Sequence, residues 1–181
     1  GLASRLVFDL LGEDGRFSVD AQGVWSLVER PVLEGRTRLS ETRFAVVDVE
    51  TTGSSVTKGA RIVEFSAVFV EGGDIRGEYT TLVNPEAWIP GWITRLHGID
   101  PHMVDDAPRF RDISTRVREA LEGRVFVAHN VGFDWRFVAE ELRMANSIIP
   151  EGPKLCTVRM ARRVLPGLRR RGLDSLSRYY D

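Results

Sequence analysis

With one cysteine, Cys156, in 181 residues, the chain has no partner for an internal disulfide. It also lacks any apolar run near the length of a membrane span or of a signal peptide's core, so it reads as a soluble, cytoplasmic protein with no membrane partner. Charge of either sign is not in excess. The 25 basic and 26 acidic residues leave a net charge of -1, so the total neither marks nor excludes a nucleic-acid partner, and distribution has to decide. Without cross-links or a structural metal framework, the chain folds by burying apolar surface, and its length suits one ordinary domain plus an appendage. It begins at Gly1 rather than methionine, which reads as a native start either removed or not resolved.

What is present is concentrated in the stretch from Phe44 to Gly53. Phe44, Ala45, Val46, Val47 and Val49 make a mostly β-branched strand that stops at Thr51-Thr52-Gly53. Side chains two apart on a strand share a face, so Asp48 and Glu50 point the same way at its open end. Such a pair is either a solvated strand end or the start of a cation site. Two carboxylates so close raise each other's pKa, and an oxygen-seeking divalent ion such as magnesium or manganese resolves the repulsion.

A second strand runs from Arg124 to Ala128 and ends at His129-Asn130. Phe133, Phe137, Val138 and Leu142 then keep helical spacing, with Asp134 in the first turn. Asp134 there either complements the helix dipole, with Asn130 as a cap, or adds a third carboxylate to a cluster between neighbouring strands.

Together these motifs resemble the DnaQ-like exonucleases, the DEDD group of 3'-5' exonucleases that includes the epsilon proofreading subunit of bacterial DNA polymerase III. The resemblance rests on Asp48-Val49-Glu50-Thr51-Thr52-Gly53 and on His129-Asn130 followed by Phe133-Asp134. It extends to Arg61-Ile62-Val63-Glu64, Leu82-Val83-Asn84-Pro85, Leu96-His97-Gly98-Ile99, Val104, Ala107-Pro108, Leu155-Cys156-Thr157, Leu173 and Leu176. It implies a ribonuclease H-like α/β fold and metal-dependent removal of nucleotides from a free 3' end. DNA is favoured over RNA, and the setting is proofreading or repair beside a DNA polymerase or further domains of the chain. Asp48, Glu50 and Asp134 would hold two ions, magnesium or manganese. Thr51, Thr52 and Gly53 would offer backbone groups to the substrate, and His97 with its loop would line the pocket for the terminal nucleotide. Asn130 is expected near the substrate, His129 to support or cap rather than ligate, and Phe133 to stack on a base or pack beneath the site. A third motif, carrying a histidine and a fourth carboxylate, is expected after the helix that starts at Leu173. The chain ends at Asp181 first and is read as truncated.

The remaining stretches arrange around that centre. Residues 1–33 read as a helix, Ser4 to Leu11, and a hairpin, Arg16 to Val19 with Val24 to Val28, resembling half of a winged-helix domain. Residues 34–43 read as a linker and 44–181 as the exonuclease domain. Strands at Phe44 to Val49, Ile62 to Val70 and Gly77 to Val83 should form an antiparallel meander, and the strand at Arg124, reached across a helix, should pair parallel to the first. Pro85 to Pro108, holding Trp88 and Trp92, is expected to be irregular. Arg159, Arg162, Arg163, Arg169, Arg170 and Arg171 form a basic stretch that either meets phosphates or is simply solvated.

Overall fold

The computed structural model describes residues 17–19, 22–27, 37–147 and 150–180, with the backbone alone for 17–19 and Leu27. The chain divides into two compact units, Gly1–Thr37 and Arg38–Asp181. In the first, β1 (Phe17–Val19) and β2 (Trp25–Leu27) pair antiparallel with Val19 opposite Trp25. Gly23, at φ 81°, lies in the turn between them, in the left-handed region that glycine enters without a Cβ clash. The helix expected at Ser4 to Leu11 lies outside the described residues.

The second unit opens with a 3-10 turn at Leu39–Glu41 leading into β3 (Arg43–Thr51). β4 (Ile62–Glu71) and β5 (Asp74–Leu82) complete the antiparallel meander, and β6 (Val125–Ala128) runs parallel to β3. A short strand that the sequence reading did not separate out, β7 (Lys154–Cys156), extends the parallel side, giving the sheet order β5-β4-β3-β6-β7. Alternation along β3 sends Ala45, Val47 and Val49 into the core at 0–5% exposure, while Val46 and Asp48 stay on the open face. Each such valine contributes about 1.5–3 kcal/mol by leaving water.

Helices α3 (Phe110–Leu121) and α4 (Gly132–Asn146) supply Phe110, Ile113, Val117, Phe137, Val138 and Leu142 to that core. The segment expected to be irregular instead contains α1 (Gly91–His97) and α2 (Pro101–Val104). Two of its prolines stand at helix entrances, Pro90 at the N-cap of α1 and Pro101 at the first position of α2, where the missing N–H goes unused. Ile93, Ile99 and Val104 then join Val63 and Ile89 in a satellite cluster. α5 (Thr157–Val164) and α6 (Leu173–Tyr180) follow β7. No helix among the described residues is long and apolar enough to cross a membrane.

Candidate active site

The open end of β3 is built by its own pairing. Asp48 lies opposite Ser66 and Glu50 opposite Glu64 on β4, and a register shift between Glu50 and Thr51 bends the strand out of the ladder there. The turn that follows is tied down locally. Thr51 Oγ1 donates to the Gly53 carbonyl (2.8 Å), the Thr52 N–H donates to the Arg61 carbonyl (2.8 Å), and the Arg61 N–H donates to Thr52 Oγ1 (3.0 Å).

On the other side, pairing of β3 with β6 runs only from Phe44 to Val46, which leaves the outer part of β3 open toward the start of α4. Asp134 enters this gap from the first turn of α4 and is 3% exposed. Its carboxyl is pushed up to about 6 by burial, with the charges of Asp48 and Glu50 adding, against hydrogen bonds from the backbone of Asp134 itself and of Val49. Burial also raises Glu50, helped by Asp48 and Glu64, and it raises Asp48 against the opposing pull of His129. Three carboxyls from two elements therefore feel one another, and each is harder to ionise than it would be alone.

Around them the histidines separate. His129 is held by Thr157: the Thr157 hydroxyl donates to the Ala128 carbonyl (3.4 Å), leaving its oxygen to accept from His129 Nδ1 (2.9 Å). That contact fixes the imidazole, whose charge acts on Asp48. His97 accepts the Ile99 N–H on Nδ1 (3.0 Å), so the neutral ring carries its proton on Nε2. Burial lowers its pKa, offset in part by the Thr51 backbone and Glu64, so the neutral form is favoured. Nε2 is buried with no hydrogen-bond partner. His102 is exposed and stands 3.5 Å from Asp105, away from these groups.

Two expectations need correction. Asn130 does not cap α4: it adopts a left-handed φ of 72°, Val131 occupies the N-cap position, and no side chain caps the helix. Arg171 is not free for phosphate, because its guanidinium donates to the Leu165 (3.4 Å) and Pro166 (3.2 Å) carbonyls and closes its own loop. Phe133 is half-buried against Phe137, with ring centroids 5.0 Å apart, which is the packing alternative.

The sequence reading missed Glu141 altogether. This buried carboxylate, two turns beyond Asp134, accepts from Arg61 Nε (2.8 Å), Arg61 Nη2 (2.8 Å) and the Ile62 N–H (3.2 Å). Since the Arg61 backbone holds the Thr51–Gly53 turn, one residue links the turn after Glu50 to the helix carrying Asp134. Its only sequence signal was an acidic residue on the apolar side of α4, next to Leu142.

The exonuclease family model RNase_T matches residues 45–181. The chain belongs to this exonuclease family. A 3'-5' exonuclease DinG from Bacillus subtilis is 40% identical over 139 residues, 77% of this chain and 15% of that protein. The epsilon subunit of DNA polymerase III from Aquifex aeolicus is 32% identical over 145 residues, 80% of this chain and 71% of that subunit. Among solved structures, exonuclease X in complex with 5' overhanging duplex DNA is similar at TM-score 0.60 and 29% identity, covering 76% of this chain and 72% of the other. A metal-free exonuclease I with single-stranded DNA shares the fold at TM-score 0.64 and 16% identity, over 76% of this chain and 35% of the other. The mixed sheet with flanking helices is thus the ribonuclease H-like fold. The exonuclease-family region spans only a small part of the DinG relative.

Proposed function

We propose that this exonuclease-family chain removes nucleotides one at a time from a free 3' end of DNA, in a proofreading or repair setting, with divalent metal ions. The observation that carries the reading is the convergence of Asp48, Glu50 and Asp134, three carboxyls whose pKa values all rise where β3 and α4 meet. Binding alone needs no such mutual repulsion, whereas a cation relieves it.

The donor chemistry fits hard divalent ions, magnesium or manganese: all three groups are carboxylates, and no thiolate competes among them. Among the described residues no three His, Cys, Asp or Glu side chains form a ready-made ion cage. The fit is therefore one of donor type and charge, with substrate phosphate oxygens as natural further ligands. Asp48, Glu50 and Asp134 would hold the ions, two in the full site, and when bound these supply Lewis-acid stabilisation to the phosphate and leaving oxygen. His97, kept neutral by burial and tied to the Ile99 N–H and the Thr51 backbone, shapes the wall beside the Thr51–Gly53 turn where the terminal nucleotide would sit. His129, fixed by Thr157, stabilises the ionised form of Asp48. The Thr51–Gly53 turn and Asn130 frame the entrance, and DNA rather than RNA is supported by the exonuclease X and polymerase III relatives.

The test is 3'-end degradation of single-stranded DNA and RNA oligonucleotides with magnesium, manganese or EDTA. Metal-dependent shortening of DNA that disappears in Asp48→Asn, with an unchanged circular dichroism spectrum, is expected. Retained turnover by that variant sinks the assignment.

A further inference from the structure

The segment after β5 spends apolar surface where the fold gains nothing from it. Ile89 and Ile93 supply the packing at 3–4% exposure, while Trp88 is 78%, Trp92 57% and Leu96 75% exposed. Isolated exposed apolar groups are ordinary, and of these three only Trp88 lines a groove. Trp88 forms one wall of this shallow groove of about 250 Å³, whose other walls include Thr52, Gly53, Ser54, Ser55 and Lys58. Thr52 and Gly53 belong to the turn that follows Glu50, so one end of the groove lies at that turn and the other at the indole. Hydroxyls, glycine backbone and a lysine line it together with Ala60, Ala87 and the indole. Lys58 is exposed and has no acidic partner among the described residues. Such a lining suits a phosphate backbone, and an exposed indole suits the face of a base, since every base can stack whatever its sequence.

We propose that this groove is a binding site for single-stranded nucleic acid leading to the reactive end, with the Trp88 indole stacked on a base and Lys58 against a phosphate. The occupant rests on the proposed function, because it is the strand whose end the carboxylates receive. Trp88 lies outside the carboxylate cluster, so its contribution falls on strand affinity and leaves the chemical step alone.

Anisotropy of a labelled eight-residue oligothymidylate in EDTA measures affinity without turnover, and a metal-containing assay gives KM and kcat separately. Trp88→Ala should weaken binding roughly 5- to 100-fold, the range of a lost base stack, and Trp88→Phe should recover most of it. KM should rise in proportion with kcat unchanged, Lys58→Ala should flatten the salt dependence, and Trp92→Ala should behave as wild type. An oligomer with abasic sites should bind weakly and be indifferent to Trp88→Ala. If Trp88→Ala binds the oligothymidylate as wild type does, or the abasic strand is equally sensitive, the stacking site is refuted; a protein partner then becomes the occupant to seek. The two readings separate cleanly. Hydrolysis with a Trp88-independent KM overturns the groove alone, Trp88-dependent binding without hydrolysis overturns the proposed function alone, and neither binding nor hydrolysis overturns both.

Discussion

Replacing Arg61 by alanine exposes how the site is held together. Glu141 is 3% exposed and its carboxylate has three donors, two of them on Arg61. Arg61→Ala leaves that charge buried with the Ile62 N–H alone. Removing one partner of a buried pair costs about 3–5 kcal/mol, because an uncompensated charge remains. The Arg61 side chain is 27% exposed, so water enters the vacated space and the lower end applies, about 3 kcal/mol. For a unit of this size that is a fall in Tm of roughly 6–12 °C. Glu141→Gln should cost less, about 1–2 kcal/mol, since the arginine left behind reaches solvent. The double change Arg61→Met with Glu141→Leu should lie closer to wild type than Arg61→Ala does, because it buries no charge. Differential scanning fluorimetry and urea unfolding of the four proteins read this out. A loss under about 1 kcal/mol for Arg61→Ala, the range of an exposed pair, would refute the reasoning. So would a double variant less stable than the single.

Asp134→Asn should stabilise the metal-free protein at pH 8. The folded carboxyl titrates at about 6 against an ordinary 3.8, so ionising it opposes folding. The stability of the protonated form is complete below about 3.8 and is lost as pH rises through about 6, a difference on the order of 3 kcal/mol. Thermal melts of wild type and variant in EDTA should therefore diverge between pH 4 and 7 and run parallel above; coincident curves would exclude the shift. Millimolar manganese should raise the wild-type Tm above pH 7 by mass action and leave Asp48→Asn nearly unmoved, as a fluorimetric titration would show. At Cys156, burial pushes the thiol up but backbone N–H groups of Arg159, Val131, Asn130 and Val158 outweigh it, so the net shift is downward. Iodoacetamide labelling should follow an apparent pKa below that of free cysteine, and a higher midpoint would contradict those contacts. Gly98→Ala should cost about 1 kcal/mol in a urea titration, because the residue ends α1 at φ 83°; no change would mean that the loop relaxes freely.

Much of this molecule was legible in local pattern. The i, i+2 spacing of Asp48 and Glu50 on a β-branched strand places them on one face before any tertiary contact is known, and the helical spacing after Asn130 puts Asp134 in a first turn. Those relations are set by the backbone's own periods, 2 for a strand and 3.6 for a helix, which a sequence displays directly. What α4 does with Asp134 was not legible. Its burial, its raised pKa and its approach to Val49 follow from β6 ending before the outer part of β3, a fact of pairing between segments some eighty residues apart. Glu141 was invisible for the same reason: its partner, Arg61, lies eighty residues away, and nothing in either neighbourhood marks the pair. Arg171 looked like a phosphate ligand until its loop closed on itself, and Trp92 looked irregular until the satellite cluster drew Ile93 inward and made a helix around it. The sequence by itself determined which carboxylates share a strand face or open a helix and which way they face along their own strand or helix. Only the tertiary structure decided how far those side chains are withdrawn from water and what holds them there, because burial and long-range charge pairing are properties of packed neighbours rather than of chain order.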